Sequence, residues 1–429
     1  MNYKKYLGGL LLAGCTSAGV LAGNGNLHAQ DQAAIEQLQK QNTALQHRLD
    51  ALEDKLDNAG VDVSDPKGTA TITPKVSATS AIILSGYVQT SYFDNLENPS
   101  GGYNAGYLWN TRNNNFSINK VKITLASPEV SKDKWDAGFR LSLLAGEDAP
   151  VLNSNSGTNG FQYLREAYVE FNVPVGTGLN VKAGDMISLL NYESGDGGAA
   201  NENFSQGYQW YYTGDGPETG VQLSYDVTPW LTVVVRGEDG LYAGAVSDRN
   251  QKGIMGALDF KPTKDFWFNL IGFGGQAVGN ESAAGGELLA GYQITKQLGT
   301  GFEGDYFHLS ATSGQSGDLY SAGTWIWYDF TKELGLAFRA EIIDDPQGEG
   351  LNTFNSNSLA PGIRGIGDAG ISSTDDHGDI GSLTLTLNFK PTPNLKIQPE
   401  IRYDATSYAG GFNGKAQQII VGAGATYLY

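Results

Sequence analysis

The side chains that could do chemistry in this 429-residue chain are few, and their spacing is poor for catalysis. It holds four histidines, His28, His47, His308 and His377, and none has a second ligand at the spacing a zinc site needs. No Walker loop and no G-x-S-x-G elbow occurs. Asp375-Asp376-His377-Gly378-Asp379 carries metal-binding atoms, but its composition is that of a solvated acidic loop, and no metal or other cofactor is expected. A barrel-borne hydrolase would need a Ser/His/acid set near a strand end. His308 with Ser310 is the one such pair, and no enzyme is expected. What recurs instead is charge set between apolar residues: Lys120, Lys122, Arg140, Lys182, Arg236, Arg339, Glu341, Lys396, Glu400 and Arg402. That spacing suits a wet wall, with one residue in two facing water.

Strands must position those charges, because alternation with a period of two puts successive side chains on opposite faces. Leu395, Ile397, Ile401 and Tyr403 share one face, which leaves Lys396, Glu400 and Arg402 on the other. Leu334, Leu336, Phe338, Ala340 and Ile342 do the same for Arg339 and Glu341, and Val121, Ile123 and Leu125 for Lys120 and Lys122. Arg165 stays unassigned, since Val169 and Phe171 share its parity while Glu166, Tyr168 and Glu170 share the other. The strands meet in short turns of one kind: FNVPVGTGL, YDVTPWL, FKPTKDF, YQITKQL, FTKEL and FKPTPNL, with a longer one from Leu125 to Trp135. Long Gly/Asn/Asp/Ser-rich loops lie between. Strand starts near Ala81, Asn115, Lys134, Phe161, Gly178, Thr219, Trp230, Gly253, Phe266, Glu287, Leu298, Leu319, Glu333, Gly381, Asn394 and Ala416 give sixteen strands. Seven tight turns alternating with eight long loops bring both ends to the short-turn side. The fold expected over 81–429 is an all-β transmembrane antiparallel barrel of the bacterial outer membrane.

Composition excludes the other classes. Glycine is 58 of 429 residues and aromatics 11%, while mean hydropathy is −0.29 with no 18-residue apolar run, so a helical membrane protein is excluded. A formal charge of −18 argues against a nucleic-acid partner. Trp135, Trp230 and Trp267 restart strands just after turns and Tyr429 ends the last one, so an aromatic girdle at the periplasmic rim is expected of them. The third long loop, 187–218, holds Glu193, Asp196 and Glu202 among glycines and asparagines. It is expected to fold into the lumen as a constriction, its acids opposing Lys120, Lys122, Arg140 and Lys182 across a transverse field.

The first 80 residues read differently. Residues 1–29 have two early lysines, an apolar stretch and Leu27-His28-Ala29, the marks of an export signal. Cleavage after Ala29 is the preferred reading; Leu12-Ala13-Gly14-Cys15 keeps lipidation at Cys15, the single cysteine, as the alternative. Over 30–57, Ile35, Leu38, Asn42, Leu45, Leu49, Leu52 and Leu56 occupy successive a and d positions, which predicts a short α-helical coiled coil in the periplasm and a homo-oligomer. A trimer is favoured, although Asn42 at an a position pulls toward a parallel dimer. Residues 58–80, small, polar and proline-marked, read as a linker.

Four short stretches carry a family resemblance: Leu84-Ser85-Gly86-Tyr87-Val88, Arg165-Glu166-Ala167-Tyr168-Val169, Val181-Lys182-Ala183-Gly184-Asp185 and Thr219-Gly220-Val221-Gln222-Leu223-Ser224-Tyr225. From about Leu84 to Tyr429 the chain resembles the OmpL-like β-barrel porins. That resemblance implies an outer-membrane channel, seated in lipid, for passive diffusion of small hydrophilic solutes and ions. Two rivals stay open: a substrate-specific uptake channel, and a structural barrel that anchors the coiled coil.

Overall fold

A computed structural model describes residues 82–429 apart from 100, 108, 154–157, 215, 242–251, 277–281, 311–315, 348–370, 373–376 and 409, together with 40, 41, 43–45, 47 and 48. The chain divides into two units, Met1–Ser80 and Ala81–Tyr429. In the first, Lys40, Gln41, Thr43, Ala44, Leu45, His47 and Arg48 are helical and exposed. Cys15, Ile35, Leu38, Asn42, Leu49, Leu52 and Leu56 lie outside the described residues.

In the second unit the strands are β1 (Ile83–Asn95), β2 (Asn115–Ala126), β3 (Asp136–Ala145), β4 (Leu164–Val173), β5 (Leu179–Met186), β6 (Glu218–Thr228), β7 (Leu231–Glu238), β8 (Gly253–Phe260), β9 (Phe266–Gln276), β10 (Ser282–Gln293), β11 (Leu298–Ser310), β12 (Ser316–Asp329), β13 (Leu334–Asp345), β14 (Ile371–Ser372), β15 (Gly378–Thr392), β16 (Leu395–Thr406), β17 (Gly411–Phe412) and β18 (Gln417–Leu428). Sixteen close into an antiparallel barrel, and the two-residue β14 and β17 pair separately in the loops. The seam joins β1 to β18, with Tyr87 opposite Leu428 and the Gly86 and Tyr429 backbones exchanging two 3.0 Å hydrogen bonds. Closure leaves no edge unpaired, which is what hydrocarbon demands of a sheet.

The recurring turn has a common chemistry. The Thr263 hydroxyl accepts from the N–H of Asp265 and Phe266, Thr295 from Gln297 and Leu298, and Thr331 from Glu333 and Leu334. One hydroxyl thus satisfies two donors and turns the chain within four or five residues. The opposite end is less uniform than the sequence suggests. Two of its eight connections, 277–281 and 311–315, span only five residues, so the expectation of eight long loops does not hold.

Alternation sets the two faces. Val88, Ile123, Leu143, Val169, Leu223, Leu270, Ile342 and Ile401 are exposed on the outer wall. Arg165 marks a bulge: the β3–β4 register slips between Ser142 and Leu143, so Arg165 and Glu166 are both buried at 3% and 6%. Inside, the wall is not charged throughout. Val234, Met255, Ile271, Phe273, Phe307 and Leu309 face inward on β7–β11 and pack with Tyr211, Tyr212 and Leu241 into an apolar cluster.

Candidate functional site

The lumen is organised by the third loop, which leaves β5 at Met186 and returns at β6. Its glycines and asparagines let the backbone run close to the wall, and its N–H groups find wall acceptors there. Phe204 N and Ser205 N donate to Glu400 at 2.9 and 3.3 Å, and Gln209 N donates to Glu341 at 3.1 Å. Wall donors answer: Lys396 Nζ reaches Asn201 O at 2.6 Å, Arg402 reaches Gln206 O at 2.7 Å, and Arg339 reaches Ser205 O at 2.6 Å. The Phe204 ring lies across Gly424, where any Cβ would collide with it. The short helix Tyr208–Tyr212 buries Tyr208, Tyr211 and Tyr212 under this arch.

The loop acids take different partners from those the sequence suggests. Glu193 crosses to Arg339 on β13, 2.7 Å away, and accepts from Trp325 Nε1 at 3.0 Å and Gly207 N at 2.6 Å. Asp196 pairs with Lys122 at 2.8 Å and accepts from Tyr87 at 2.9 Å. Burial raises its pKa, but Lys122 and Arg165 outweigh that and hold the carboxyl below its usual range. Glu202 meets the wall mainly through its backbone, its carbonyl accepting from Asn388 at 2.9 Å and Gln398 at 3.2 Å. Lys120 is taken by Asp148 and Gln206, Arg140 by Glu166, and Lys182 sits 5.1 Å over the Tyr168 ring. Of the three acids, Asp196 alone pairs with a base of the opposing set, and it does so in direct contact; the transverse field of facing charges is not the arrangement present.

Other sequence-selected residues have clear places. Arg236 donates to Gln222 Oε1 at 2.8 Å and to Ile187 O at 2.8 Å, where the third loop begins. Arg402 pairs with Asp404 at 2.7 Å and lies between the rings of Tyr107 and Tyr208, 4.7 and 4.5 Å from their centroids. Trp135, Trp230 and Tyr429 are exposed at the tight-turn end. Trp267 is not with them. It points inward, flat against Gly291, and stacks on Tyr192 of the third loop at 6.0 Å, because it shares parity with the buried Ile271 and Phe273.

Sequence reasoning missed the first loop, which also enters the lumen. Tyr107 and Trp109 are 4% and 1% exposed, Tyr107 donates to Asp404 at 2.7 Å, and Trp109 packs on Trp210 and Tyr211. The aromatic cluster in an otherwise polar segment, Tyr107-Leu108-Trp109, was the available signal. Also missed was a buried trio, Glu287, Glu303 and Asp305, which receives Asn191 N, Tyr192 N, Gln209 and Thr213 and fastens the loop's two ends. His377, Asp344 and Asp379 form a separate, more exposed group. Asp375 and Asp376 lie outside the described residues.

The barrel as a whole is a fold found in known proteins. The fold is similar to the trimer form of OmpT of Vibrio cholerae, at 11% identity and TM-score 0.54 over 81% of this chain and 99% of that one. It is similar also to an anion-selective porin from Comamonas acidovorans, at 12% and 0.52 over 81% and 99%, and to the outer membrane channel DcaP of Acinetobacter baumannii, at 12% and 0.50 over 81% and 97%. At such identities the likeness is one of fold. No curated protein matches the chain by sequence. The family model described as "Putative beta-barrel porin-2, OmpL-like" matches residues 81–429, the whole of the barrel, and the chain therefore belongs to the OmpL-like β-barrel porins, channels of the bacterial outer membrane.

Proposed function

We propose that the barrel admits small hydrophilic solutes and ions by passive diffusion, and that the third loop sets the width of the passage. The carrying observation is the fastening of that loop to two separate parts of the wall, through Asp196 to Lys122 on β2 and Glu193 to Arg339 on β13, five strands further round the ring. Lys120, Arg236, Glu341, Lys396, Glu400 and Arg402 act in this reading as wall anchors for the loops, while Arg140 and Lys182, half-exposed, meet the solute. Trp135, Trp230 and Tyr429 seat the tight-turn rim among headgroups. Residues 1–29 direct export, and the helix around Leu45 joins copies of the chain into a periplasmic stalk, most simply three; the trimer form of OmpT gives that number a parallel.

Deleting Glu193 to Asn203 removes both ion pairs while sparing every barrel strand. Single-channel conductance in planar bilayers is expected to rise, and larger sugars to enter in a swelling assay with a solute panel. Unchanged conductance and size limit in a folded deletion variant would sink the assignment of the constriction.

A further inference from the structure

Phe307 and Leu309 of β11 are buried at 0% and 3% in the lumen, so His308 and Ser310, at the alternate positions, face outward. They stand at the end of the strand away from the tight turns. His308 is the direct cross-strand partner of Asp318 on β12. His308 Nδ1 lies 2.8 Å from Asp318 Oδ1, and Nε2 lies 3.2 Å from Ser310 Oγ. One tautomer serves both contacts: Nδ1–H donates to the carboxylate, and Nε2 accepts from the serine hydroxyl. Asp318 is itself held, since the Tyr306 hydroxyl donates to the same Oδ1 at 2.9 Å and its own N–H donates to Gln347 Oε1 at 3.1 Å. A nucleophile, a base and an orienting acid thus follow one another within hydrogen-bond reach, and the group is open to its surroundings, with His308 and Asp318 side chains 45% and 27% exposed.

The wall beside this group is unusually bare. His308 lies opposite Ala284 and Tyr306 opposite Gly286 on β10; these face Gly274 and Gly272 on β9. A chain of methylenes can lie along that trough against the backbone. Tyr306 and Tyr320, 42% and 47% exposed with centroids 5.3 Å apart, border the group one step toward the tight turns, as rings do at the level of lipid headgroups.

We propose that Ser310, His308 and Asp318 hydrolyse acyl esters of lipids lying against the outer wall, an activity separate from conduction through the lumen. Ser310 Oγ bonds to the ester carbonyl carbon as its proton passes to His308 Nε2. The tetrahedral species collapses, the carbon–oxygen bond to the alcohol breaks, and His308 gives its proton to the departing oxygen. Water then attacks the acyl-serine, losing a proton to His308, which returns it to Ser310 as the fatty acid leaves. Ester and water become acid and alcohol, and no other reactant enters. Asp318 holds the imidazole in the needed tautomer and steadies its charged form.

The full chain, purified and reconstituted, should be labelled by a long-chain alkyl fluorophosphonate and should release fatty acid from vesicles of phosphatidylethanolamine and phosphatidylglycerol, or from lipopolysaccharide in a parallel arm; either substrate supports the proposal and names the source of the ester. Ser310→Ala should abolish labelling and release. His308→Gln should lower the rate at least about hundredfold, and Asp318→Asn should leave a reduced rate. Single-channel conductance should be unchanged in all three, which shows that each variant is folded and keeps the porin reading independent of this one. Failure of the wild type to label or to release acid, or equal values in Ser310→Ala, would overturn the proposal and leave the trio as a polar fastening between β11 and β12.

Discussion

Glu193 is the residue on which the lumen turns. Both its oxygens are engaged, by Arg339, Trp325 and Gly207, and its side chain and that of Arg339 are 2% and 0% exposed. A buried charge survives in such a place only when its partners are complete, so removing one member strands the others. Glu193→Ala is therefore expected to destabilise the barrel by about 3 kcal/mol, read as a lower denaturant midpoint. It should also free the loop, raising conductance and adding open-channel noise. A lowered midpoint with an unchanged current would mean that the loop is attached there without narrowing the path. Asp196 is a weaker hold, because its side chain is 20% exposed.

Among the elements, the helix around Leu45 makes the clearest claim. Leu45 is 62% exposed, and in the proposed stalk the heptad stripe to which it belongs meets that of other copies. Replacing Leu45 and Leu49 with aspartate should reduce crosslinked oligomers of purified protein while the barrel stays folded; a wild type that crosslinks only as monomer would end the coiled-coil reading. The strands themselves were legible because each carries its own period. Fifteen starts fall within three residues of those read from alternation, and β10 begins at Ser282 rather than Glu287, since Ala283 and Gly285 give alternation too little contrast. The bulge at Arg165 was illegible for the opposite reason: an inserted residue makes both parities apolar or charged by turns. Trp267 misled because a ring after a turn fits either the rim or the lumen, and Gly291, which clears its inward place, lies on another strand. The loop contacts join residues some two hundred positions apart, such as Lys396 with Asn201, and local pattern holds no record of them.

At the scale of the molecule, 46 acids against 28 bases give an acidic body whose described wall bases are largely paired. Cations should gather at the mouths. A weak cation preference is expected in reversal potentials at low salt, fading toward 1 M, where the screening length is about 3 Å; a clear anion preference at low salt would contradict it. The seam between β1 and β18 carries a consequence of another kind, one of timing. Tyr87 waits for Leu428, and Gly86 for Tyr429, so the ring has no closed form until β18 has been made. Until then the outer edge of β1 has no partner, and the contacts to be made there are among the most distant in sequence, the kind that form slowly. The third loop must wait as well, because Arg339, Glu341, Glu400 and Arg402, which hold it, are all synthesised after it. The ring is thus expected to stay open until its last strand is in place, and its interior can be furnished only as the last door shuts.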